Sequence, residues 1–494
     1  MGIELKKLIS SVIACMVLFG SISAIAAPTE GEAPAPECFD LPCTVDTVMV
    51  GLSSGSSAVS EARLVNKVGS GYLFGYFDFS REFHELGNTG CGNISIRGDT
   101  GYELEAGDHI GPWHLLINNR YDSFEEAKAD AKVYWGGFPA YIDGEYRVLV
   151  GAYDDESKAD KARSKRNIDA VPFTGSDTAV LVSESDTWEL LFLLDSKGNE
   201  LAVRADSDDI KGETWYSGDA YYGDFRFSRS ADGITVVNYV DLEDYVKGVL
   251  PYEMHGDWPE DALMAQAACA RTYAINKLNE YSDKGFDVRN DTYSQVYRGI
   301  TGTTDSTNEA SAKTAGQFVR YDGVICKVYY MSSDGGATDS GANVFGENRP
   351  YLCGTKDSNE DSITFYNKTW RSELLASNIQ HKLSRHDIEL GEITDIKGDY
   401  SEHDNVIALH FTDAEGKTAD IYGEDCFRVL SLDSLRYKIS SYTADNGSLI
   451  FVFEGKGWGH NCGLSQWGAY SMAYNHKANS NDIIGFYFNG AYIG

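Results

Sequence analysis

One carboxylic acid in the sequence has surroundings suited to proton-transfer chemistry. Glu253 lies within residues 241–281, directly before a pattern typical of a helix start: Asp257 can act as the N-cap, Pro259 falls in the first turn, and Glu260 completes a capping box. Mostly apolar neighbours could exclude water from the carboxyl group and raise its pKa toward the range of a general acid. These neighbours are Leu250, Pro251, Tyr252, Met254 and Trp258. The alternative is an ordinary solvated glutamate.

The helix predicted to follow Glu253 has a face of small apolar side chains. Leucine and alanine recur three or four positions apart, at Leu263, Ala267, Ala270, Ala274 and Leu278. Because alanine lets another element approach closely, the pattern predicts a buried helix with Glu253 at its entrance.

Two glycine-rich segments in the second half of the chain combine tight turns with polar side chains. Residues 332–341, SSDGGATDSG, lack the lysine and the helix start of a phosphate-binding Walker motif. Residues 455–468, GKGWGHNCGLSQWG, interleave glycines with His460, Ser465 and Gln466. Because glycine lets the backbone approach a ligand closely, this second segment predicts a substrate-lining loop. The alternative for His460 is a hydrogen-bonded turn histidine.

The charge of the chain excludes one class of partner. The formal net charge is −33 at pH 7 over 494 residues, which argues against a general nucleic-acid binder. It also argues against electrostatic adhesion to anionic wall polymers, so wall binding would use stacking and hydrogen bonds to uncharged sugars. The 31 tyrosines suit such contacts. The alternative is that the composition keeps an exported protein soluble.

The first 27 residues have the pattern of a secretory signal. Lys6 and Lys7 precede an apolar run through Phe19, and the segment ends in small residues. Cleavage would export the protein without a membrane span, since no other stretch reaches about 18 uninterrupted apolar residues. The alternative is lipid attachment at Cys15. Residues 28–44, which begin with the sequence PTEGEAPAP, are predicted to be a flexible linker.

The cysteines that would remain after cleavage are even in number, which permits disulfides in an exported chain. They are Cys38, Cys43, Cys91, Cys269, Cys326, Cys353, Cys426 and Cys462. Their spacing does not fix a pairing. The alternative is that several are buried free thiols, as expected for Cys269 on the alanine-rich helix.

A chain of this length is expected to hold two or three domains. Alternating patches in residues 45–110 predict strands, to which no function is assigned. Residues 111–185 predict a small α/β domain: WHLLIN, EYRVLVGAY and TAVLVSE have strand patterns, and FEEAKADAKVYWGG and ESKADKARSKRN have helix patterns. Residues 186–494 are strand-rich around the central helix, so the expected class is α+β.

Four motifs, in order, carry a resemblance to a known family. VKGVLPYEM (246–254) with ALMAQAACARTYA (262–274) resembles the core of the stage II sporulation protein D family, the SpoIID/LytB domain. Three further segments resemble, in order, the later motifs of that family: TYSQVYRG (292–299), YYMSSDGGATDSGANVFGENRPYL (329–352) and GKGWGHNCGLSQWGAYSMA (455–473). The resemblance therefore covers most of residues 186–494.

The resemblance implies that the chain cleaves peptidoglycan glycan strands as a lytic transglycosylase, with no cofactor. Glu253 would be the single acid and base, and Arg271, which matches the family arginine, would orient Glu253 or hold a sugar carboxylate. The alternative for Arg271 is a salt bridge on the helix surface. The implied substrate-binding residues are Gln266, Ser332, Ser333, Tyr351, His460, Ser465 and Gln466.

Two positions depart from the family pattern. Where some relatives carry histidine and cysteine associated with zinc, this chain has Tyr293 and Ser294, which are poor zinc ligands, so no metal is expected. Where relatives often have a basic residue after PYL, this chain has Cys353. The second departure keeps open a non-catalytic role, that of a wall-binding protein that stimulates a partner amidase, as in the LytB branch.

A second resemblance concerns residues 143–165, DGEYRVLVGAYDDESKADKARSK, which are similar to a SPOR domain. This implies a ferredoxin-like fold for residues 111–185 and binding, through the sheet face, of glycan strands stripped of their stem peptides. The alternative is an ordinary small α/β domain, because a fold-level pattern carries no function by itself.

Overall fold

The computed structural model describes residues 46–103, 109–207, 211–365 and 368–494. These residues form two compact units, an N-terminal unit (46–319, 325–327 and 493–494) and a C-terminal unit (320–324 and 328–492). The predicted signal at 1–27, the linker at 28–44, and Cys15, Cys38 and Cys43 lie outside the described residues. The described residues form 30 strands and ten α-helices, which confirms a mixed, strand-rich fold.

The N-terminal unit contains 19 strands and five helices among its described residues. The strands are β1 (Thr47–Ser53), β2 (Ala62–Val68), β3 (Gly71–Phe77), β4 (Phe83–Thr89), β5 (Asn93–Gly98), β6 (Tyr102–Glu103), β7 (His109–Ile110), β8 (Trp113–Ile117), β9 (Gly137–Ile142), β10 (Glu145–Tyr153), β11 (Ala170–Thr174), β12 (Val180–Glu184), β13 (Leu190–Asp195), β14 (Leu201–Asp206), β15 (Glu213–Tyr216), β16 (Asp219–Tyr221), β17 (Asp224–Ser230), β18 (Gly233–Asp241) and β19 (Val288–Arg289). The helices are α1 (Phe124–Ala131), α2 (Glu156–Arg166), α3 (Leu242–Glu253), α4 (Glu260–Asn276) and α5 (Asp305–Lys313).

Two sheets organise this unit. A seven-stranded sheet has the order β19-β1-β18-β17-β14-β3-β4, and β18 leads directly into α3. A ten-stranded sheet has the order β11-β8-β10-β9-β13-β12-β5-β2-β15-β16. This second sheet is continuous and contains strands from all three predicted segments, 45–110, 111–185 and 186–494. The predicted boundaries at 110/111 and 185/186 do not coincide with a break in the sheet, and they stay predictions.

The elements from β8 to β11 follow one another as strand, helix, strand, strand, helix, strand. Their strands lie side by side in the order β11-β8-β10-β9. β8, β10, α1 and α2 confirm the predicted strands and helices, although α1 ends at Ala131, before VYWGG. β9 and β11 were not predicted, and TAVLVSE forms β12, which pairs with β13 and β5. Pro172 in the middle of β11 hides its strand pattern, and proline is tolerated there because β11 is an edge strand.

α4 confirms the predicted buried helix. Its buried side chains lie all around its circumference and include Ala267, Ala270, Ala274 and Cys269, which are 0% exposed. α4 ends at Asn276, so Leu278 lies beyond it. A helix that is buried on every side packs inside a domain, and α4 lies there among its neighbours α3 and α5.

The C-terminal unit is built from small sheets and short helices. Its described strands are β22 (Tyr330–Met331), β23 (Thr369–Leu375), β24 (Ile393–Tyr400), β25 (Val406–Asp413), β26 (Thr418–Tyr422), β27 (Arg436–Thr443), β28 (Leu449–Lys456) and β29 (Leu464–Ser465). Its helices are α6 (Gly341–Phe345), α7 (Ala376–Ser384), α8 (Asp425–Arg428), α9 (Gln466–His476) and α10 (Ser480–Tyr487). Three short strands lie near the unit boundaries in sequence, β20 (Val319–Tyr321), β21 (Val324–Ile325) and β30 (Tyr492–Ile493).

The pairing of β22 with β29 brings two predicted motifs together. The strands are parallel, with Tyr330 opposite Leu464 and Met331 opposite Ser465. The SSDGG turn follows β22 directly, and the GLSQWG segment contains β29. In the described part of the chain, no helix is both long enough and apolar enough to cross a membrane.

Candidate functional site

Glu253 is the last residue of α3, and it does not lie immediately ahead of a helix. α3 begins after Asp241, whose carboxylate accepts a hydrogen bond from the backbone N–H of Glu243 (2.9 Å). At the other end, the backbone N–H of Met254 donates to the carbonyl of Leu250 (2.9 Å). The rigid helix therefore fixes the backbone position of Glu253.

The predicted N-cap at Asp257 is wrong. α4 begins at Glu260, its N-cap is Pro259, and no side chain caps it. A cap at Asp257 would put Trp258 in the first helical turn, but the ring of a following proline disfavours the helical conformation for the residue before it. Trp258 instead lies in a turn, where its N–H donates to the carbonyl of His255 (3.0 Å).

The carboxyl group of Glu253 lies near two tyrosine side chains. Glu253 is half-buried, whereas Tyr245 is fully buried at 0% exposure. Burial is the main cause that raises the pKa of Tyr245 and of Tyr273, and the negative charge of Glu253 adds to it. A half-buried carboxyl beside aromatic rings is partly shielded from water and still accessible to a ligand, as a general acid must be.

Arg271 is completely buried, and its charge is balanced by Glu243. Its Nε and Nη2 atoms donate to the two carboxylate oxygens of Glu243 at 2.9 and 2.6 Å. Nη1 donates to the carbonyl of Gln317 (3.2 Å), and Nη2 donates to the carbonyl of Ser311 (3.3 Å). Glu243 lies in the first turn of α3 and Glu253 in its last, so Arg271 positions α3, α4 and α5 from the far end of the helix.

A cavity of about 470 Å³ in the N-terminal unit is lined partly by the TYSQVYRG motif. Thr292, Val296 and Arg298 contribute to its wall, with Asp219 on β16. The guanidinium of Arg298 also lies over the ring of Tyr252, 5.9 Å from its centroid. The motif was visible in the sequence, but only folding shows that its side chains line a cavity and that one of them contacts the residue before Glu253.

The remaining predicted residues are distributed over both units. Gln266 is 0% exposed in α4, in the same unit as Glu253 and Arg271. The other six belong to the C-terminal unit: Ser332, Ser333, Tyr351, His460, Ser465 and Gln466.

Ser333 and Ser465 meet at a carboxylate that the sequence did not single out. Both hydroxyls donate to Glu360, each at 2.6 Å, and the backbone N–H of Asp334 donates to the same carboxylate at 3.1 Å. All three side chains, those of Ser333, Ser465 and Glu360, are 1% exposed or less. The parallel pairing of β22 with β29 explains why two distant serines share one acceptor.

Two further carboxyl groups lie beside Glu360. One carboxylate oxygen each from Asp334, Asp357 and Glu360 lies within 4.8 Å of the others. Burial raises the pKa of Asp334 well above its usual value, and the negative charges of Glu360 and Asp357 raise it further. Burial also raises the pKa of Glu360. KDSNED (356–361) has no apolar periodicity, so only its acidity hinted at this group.

His460 is held by the backbone through both ring nitrogens. Nε2 donates to the carbonyl of Tyr330 (3.0 Å), and Nδ1 accepts from the N–H of Cys462 (3.2 Å). Its ring packs edge-on against Phe345 at 5.2 Å between centroids. The surrounding protein dehydrates the ring and lowers the pKa of His460 to about 4, so the imidazole is neutral at pH 7.

The other three residues of the C-terminal unit that were predicted to bind substrate are buried or half-buried. Tyr351 is 8% exposed, and its ring packs against Tyr321 at 5.5 Å between centroids. Ser332 is half-buried, and its carbonyl accepts from the N–H of Trp467 (3.0 Å). Gln466 is 7% exposed at the start of α9.

The two positions that depart from the family pattern differ in exposure. Tyr293 is 66% exposed, with Arg289 over its ring, and the Ser294 hydroxyl accepts from the backbone N–H of Arg289 (3.1 Å). Cys353 is exposed, and its thiol lies 2.8 Å from the carbonyl of Pro350. All six cysteines within the described residues are free thiols, and Cys269 is one of the buried ones.

Comparison with known proteins gives a family match that includes α3 and α4. The profile of the SpoIID family, described as stage II sporulation protein, matches residues 230–321, which contain Glu253 and Arg271. An uncharacterized protein of Brachyspira hyodysenteriae is 37% identical over 281 residues, which are 56% of this chain and 73% of that protein.

Two named relatives come from Bacillus subtilis. The stage II sporulation protein D is 28% identical over 272 residues, covering 52% of this chain and 75% of the relative. The amidase enhancer is 26% identical over 336 residues, covering 59% of this chain and 46% of the relative. The alignment therefore spans less than half of the amidase enhancer.

Proposed function

Since this chain belongs to the stage II sporulation protein D family, we propose that it is a lytic transglycosylase that cleaves peptidoglycan glycan strands. The observation that carries this proposal is the position of Glu253, half-buried at the end of α3 beside Tyr245 and Tyr273 and inside the stretch that matches the family. The biological setting would be remodelling of the cell wall or sporulation.

The proposed reaction uses one carboxyl group twice. Glu253 donates its proton to the glycosidic oxygen between N-acetylmuramic acid and N-acetylglucosamine as the bond from C1 to that oxygen breaks. The resulting carboxylate then removes the proton of the C6 hydroxyl on the muramic sugar, and that oxygen bonds to C1. The proton balance of the enzyme is restored, and the product ends in a 1,6-anhydro ring without consumption of water.

The single acid distinguishes this reaction from hydrolysis. A glycosidase usually places two carboxyl groups across the scissile bond, one of them to activate water or attack the sugar. Here the C6 hydroxyl of the substrate is the nucleophile, so a second carboxyl group is not required. Arg271 supports this site by fixing the helices, through its contacts with Glu243 and with the carbonyls of Ser311 and Gln317.

We propose that the family-matched polar residues of the C-terminal unit line a path for the glycan within that unit. Within this set, Ser333 and Ser465 already donate to Glu360, and His460 bonds to two backbone groups, so these three shape the loops. The residues of that unit proposed to reach sugar hydroxyls are Ser332, Tyr351 and Gln466, whereas Gln266, which is 0% exposed in α4, packs inside the N-terminal unit.

Substitution of Glu253 tests the reaction directly. Glu253→Gln keeps the shape of the side chain but cannot donate and retrieve a proton, so the cleavage rate should fall by about 10² to 10⁴ or more while glycan binding persists. Asp257→Asn is the matched control, because it removes one exposed carboxylate four residues away. The assay is mass analysis of products from purified strands, with and without stem peptides.

The same assay decides between two functions. The unmutated protein should release fragments ending in 1,6-anhydro-N-acetylmuramic acid, whereas reducing ends would indicate hydrolysis. A second candidate is a non-catalytic protein that stimulates a cell-wall amidase, favoured by the similarity to an amidase enhancer and by Cys353 in place of a basic residue. Intact strands together with faster turnover of an added amidase would establish this second function.

We propose that the group from β8 to β11 is a SPOR-like, ferredoxin-like glycan-binding module. Its order of strands and helices, with neighbours β11-β8-β10-β9, supports the fold. The sheet face opposite the helices is occupied by buried side chains such as Phe138, Leu149 and Leu193, which argues against binding through the centre of that face. Trp135, 85% exposed after α1 with Arg166 over its ring, is the better candidate for stacking on a sugar.

Binding to sacculi tests the module in the full chain. Trp135→Ala should weaken binding to amidase-treated sacculi, which carry glycan without stem peptides, and leave cleavage of short soluble strands unchanged. Val133→Ala is the control, since Val133 is also exposed (74%) and lacks an aromatic ring. Equal binding by both variants would contradict the role of Trp135.

We also propose that the protein acts outside the membrane, in the cell envelope. The support is the signal pattern in residues 1–27 and the sporulation and amidase-related names of the relatives. Peptidoglycan strands, and a wall amidase under the second candidate, would be its partners.

A further inference from the structure

The buried carboxyl cluster of the C-terminal unit is not used by the proposed reaction. Asp334, Asp357 and Glu360 are each 1% exposed or less, and one oxygen from each lies within 4.8 Å of the others. Buried carboxylates are costly unless their charge is compensated. The groups that donate to the carboxylate oxygens of these three, within the part of the chain that the structure describes, are neutral hydroxyl and amide groups. The ammonium of Lys368 donates to the backbone carbonyl of Glu360 (2.5 Å).

Glu360 accepts several hydrogen bonds. Two serine hydroxyls and one backbone N–H donate to it, as described above. Ser465 is also the N-cap of α9, where its oxygen accepts from the N–H of Gly468 (3.2 Å). The carboxylate of Glu360 therefore lies at the positive end of an 11-residue helix.

Asp357 is also supplied with donors. The hydroxyl of Tyr487 donates to one oxygen (2.6 Å), and the backbone and side-chain N–H groups of Asn359 donate to the other (both 2.7 Å). Gly468 allows this arrangement, because a Cβ there would lie 1.8 Å from the Tyr487 hydroxyl and 2.5 Å from Asp357. The position of Asp357 is thus fixed by its surroundings.

Asp334 differs from its two neighbours. Its Oδ1 atom accepts from the N–H of Gly336 (2.7 Å), but no hydroxyl or N–H group donates to its buried Oδ2 atom, and the carboxyl group of Asp357 lies within hydrogen-bonding reach of the Asp334 side chain. A buried oxygen of this kind carries a desolvation penalty unless a proton or a cation lies between it and the neighbouring carboxylates. The cluster therefore lacks one positively charged or proton-donating group next to Asp334.

We propose that Asp334, Asp357 and Glu360 together bind one Ca²⁺ ion. Calcium takes six to eight oxygen ligands at about 2.3–2.6 Å, so oxygens that share one ion lie within about 5 Å of each other, as these do. A proton could bridge only two of the three oxygens, whereas a cation contacts all three. Carboxylate oxygens without thiolate or imidazole favour a hard cation over zinc.

Calcium titration of the full chain tests this site without any glycan, so the result is independent of the proposed reaction. After treatment with a chelator, the unmutated protein should bind Ca²⁺ saturably at one site. Its Tm should rise by about 5 °C or more at a concentration about 100-fold above the Kd. Mg²⁺ and Zn²⁺ at the same concentration should give smaller shifts.

Two variants separate this site from general binding of cations to an acidic chain. Asp334→Asn removes one ligand and one buried charge, so it should fold and lose the calcium-dependent shift. Asp413→Asn is the control, because Asp413 is a buried carboxylate of the same unit that lies outside the cluster. The Asp413→Asn variant should keep the calcium-dependent rise in Tm. If the unmutated protein shows no saturable binding of Ca²⁺, the proposal is wrong. An Asp334→Asn variant whose Tm rises equally with and without Ca²⁺ would show that Asp334 holds a proton, and it too would contradict the proposal.

Discussion

Arg271 has the largest side chain, by residue volume, that is fully buried in the described part of the chain. The sequence suggested that it would orient Glu253 or bind a sugar, and that role stays a proposal. In the structure its bonds go to Glu243, to a threonine hydroxyl and to backbone carbonyls. A buried charge that is hydrogen-bonded on every side holds its partners in one arrangement, so its removal has a structural consequence.

Removal of this guanidinium should destabilise the N-terminal unit. Arg271→Met leaves Glu243 without its positively charged partner and several buried carbonyls without a donor, so the free energy of unfolding should fall by roughly 3–5 kcal/mol. Arg289→Met is the control, because its pair with Asp291 is well exposed and should cost less than about 1 kcal/mol. Urea unfolding followed by circular dichroism measures both. Unchanged stability with lost glycan binding would assign Arg271 to the substrate instead.

His460 should make the stability of the C-terminal unit depend on pH. Its folded pKa, about 4, lies below the usual 6.5, so the unfolded chain binds the proton more tightly. The stabilising contribution is complete above pH 6.5 and is lost as pH falls toward 4. His460→Gln should reduce this loss between pH 6.5 and 4, whereas exposed His255→Gln should retain it. Thermal unfolding of the three proteins across this range is the measurement.

At the scale of elements, α3 is fixed by close contact with the TYSQVYRG segment. Gly248 in the middle of α3 faces Tyr297, which is 1% exposed, and Tyr297 in turn donates to Asn238 on β18 (2.8 Å). Tyr245 on the same helix stacks on Tyr297 at 5.0 Å between centroids. The position of Glu253 therefore depends on packing between two motifs that are some 40 residues apart in the sequence.

A methyl group at Gly248 should disturb this packing. A Cβ there would lie 2.4 Å from the ring of Tyr297 and 2.7 Å from the carbonyl of Gly299, so Gly248→Ala should cost about 1–3 kcal/mol although alanine favours helices. Gly90→Ala is the control, since the nearest atom to its Cβ would be 3.9 Å away. Denaturant unfolding compares the two, and a stabilised Gly248→Ala variant would contradict the packing described here.

At the scale of the whole molecule, the two units differ in the charge of the ionisable groups that they bury. The N-terminal unit contains Arg271 with its donors satisfied, whereas the C-terminal unit contains three carboxyl groups with one oxygen unsatisfied. Both occur in a chain with a net charge of −33, in which basic side chains are scarce. That scarcity is one physical reason why a cation from solution suits the carboxyl cluster.

The sequence by itself determined the strands and helices wherever a hydrophobic period was long and uninterrupted. It predicted α4 from its alanines, β10 and α2 from their periodicities, and the family from four ordered motifs. These features are local, since each depends on residues that are neighbours in the chain. The sequence failed at Asp257 because the effect of Pro259 on the preceding residue outweighed the capping pattern.

Only the tertiary structure decided which side chains meet. The partnership of Arg271 with Glu243, the meeting of Ser333 and Ser465 at Glu360, and the cluster around Asp334 all join residues from separate elements. Such contacts depend on helix packing and on the parallel pairing of β22 with β29, which no local pattern encodes. The sequence does not show whether a polar residue is buried or exposed, so the role of a buried polar residue can be assigned only when its hydrogen-bonding partners are known.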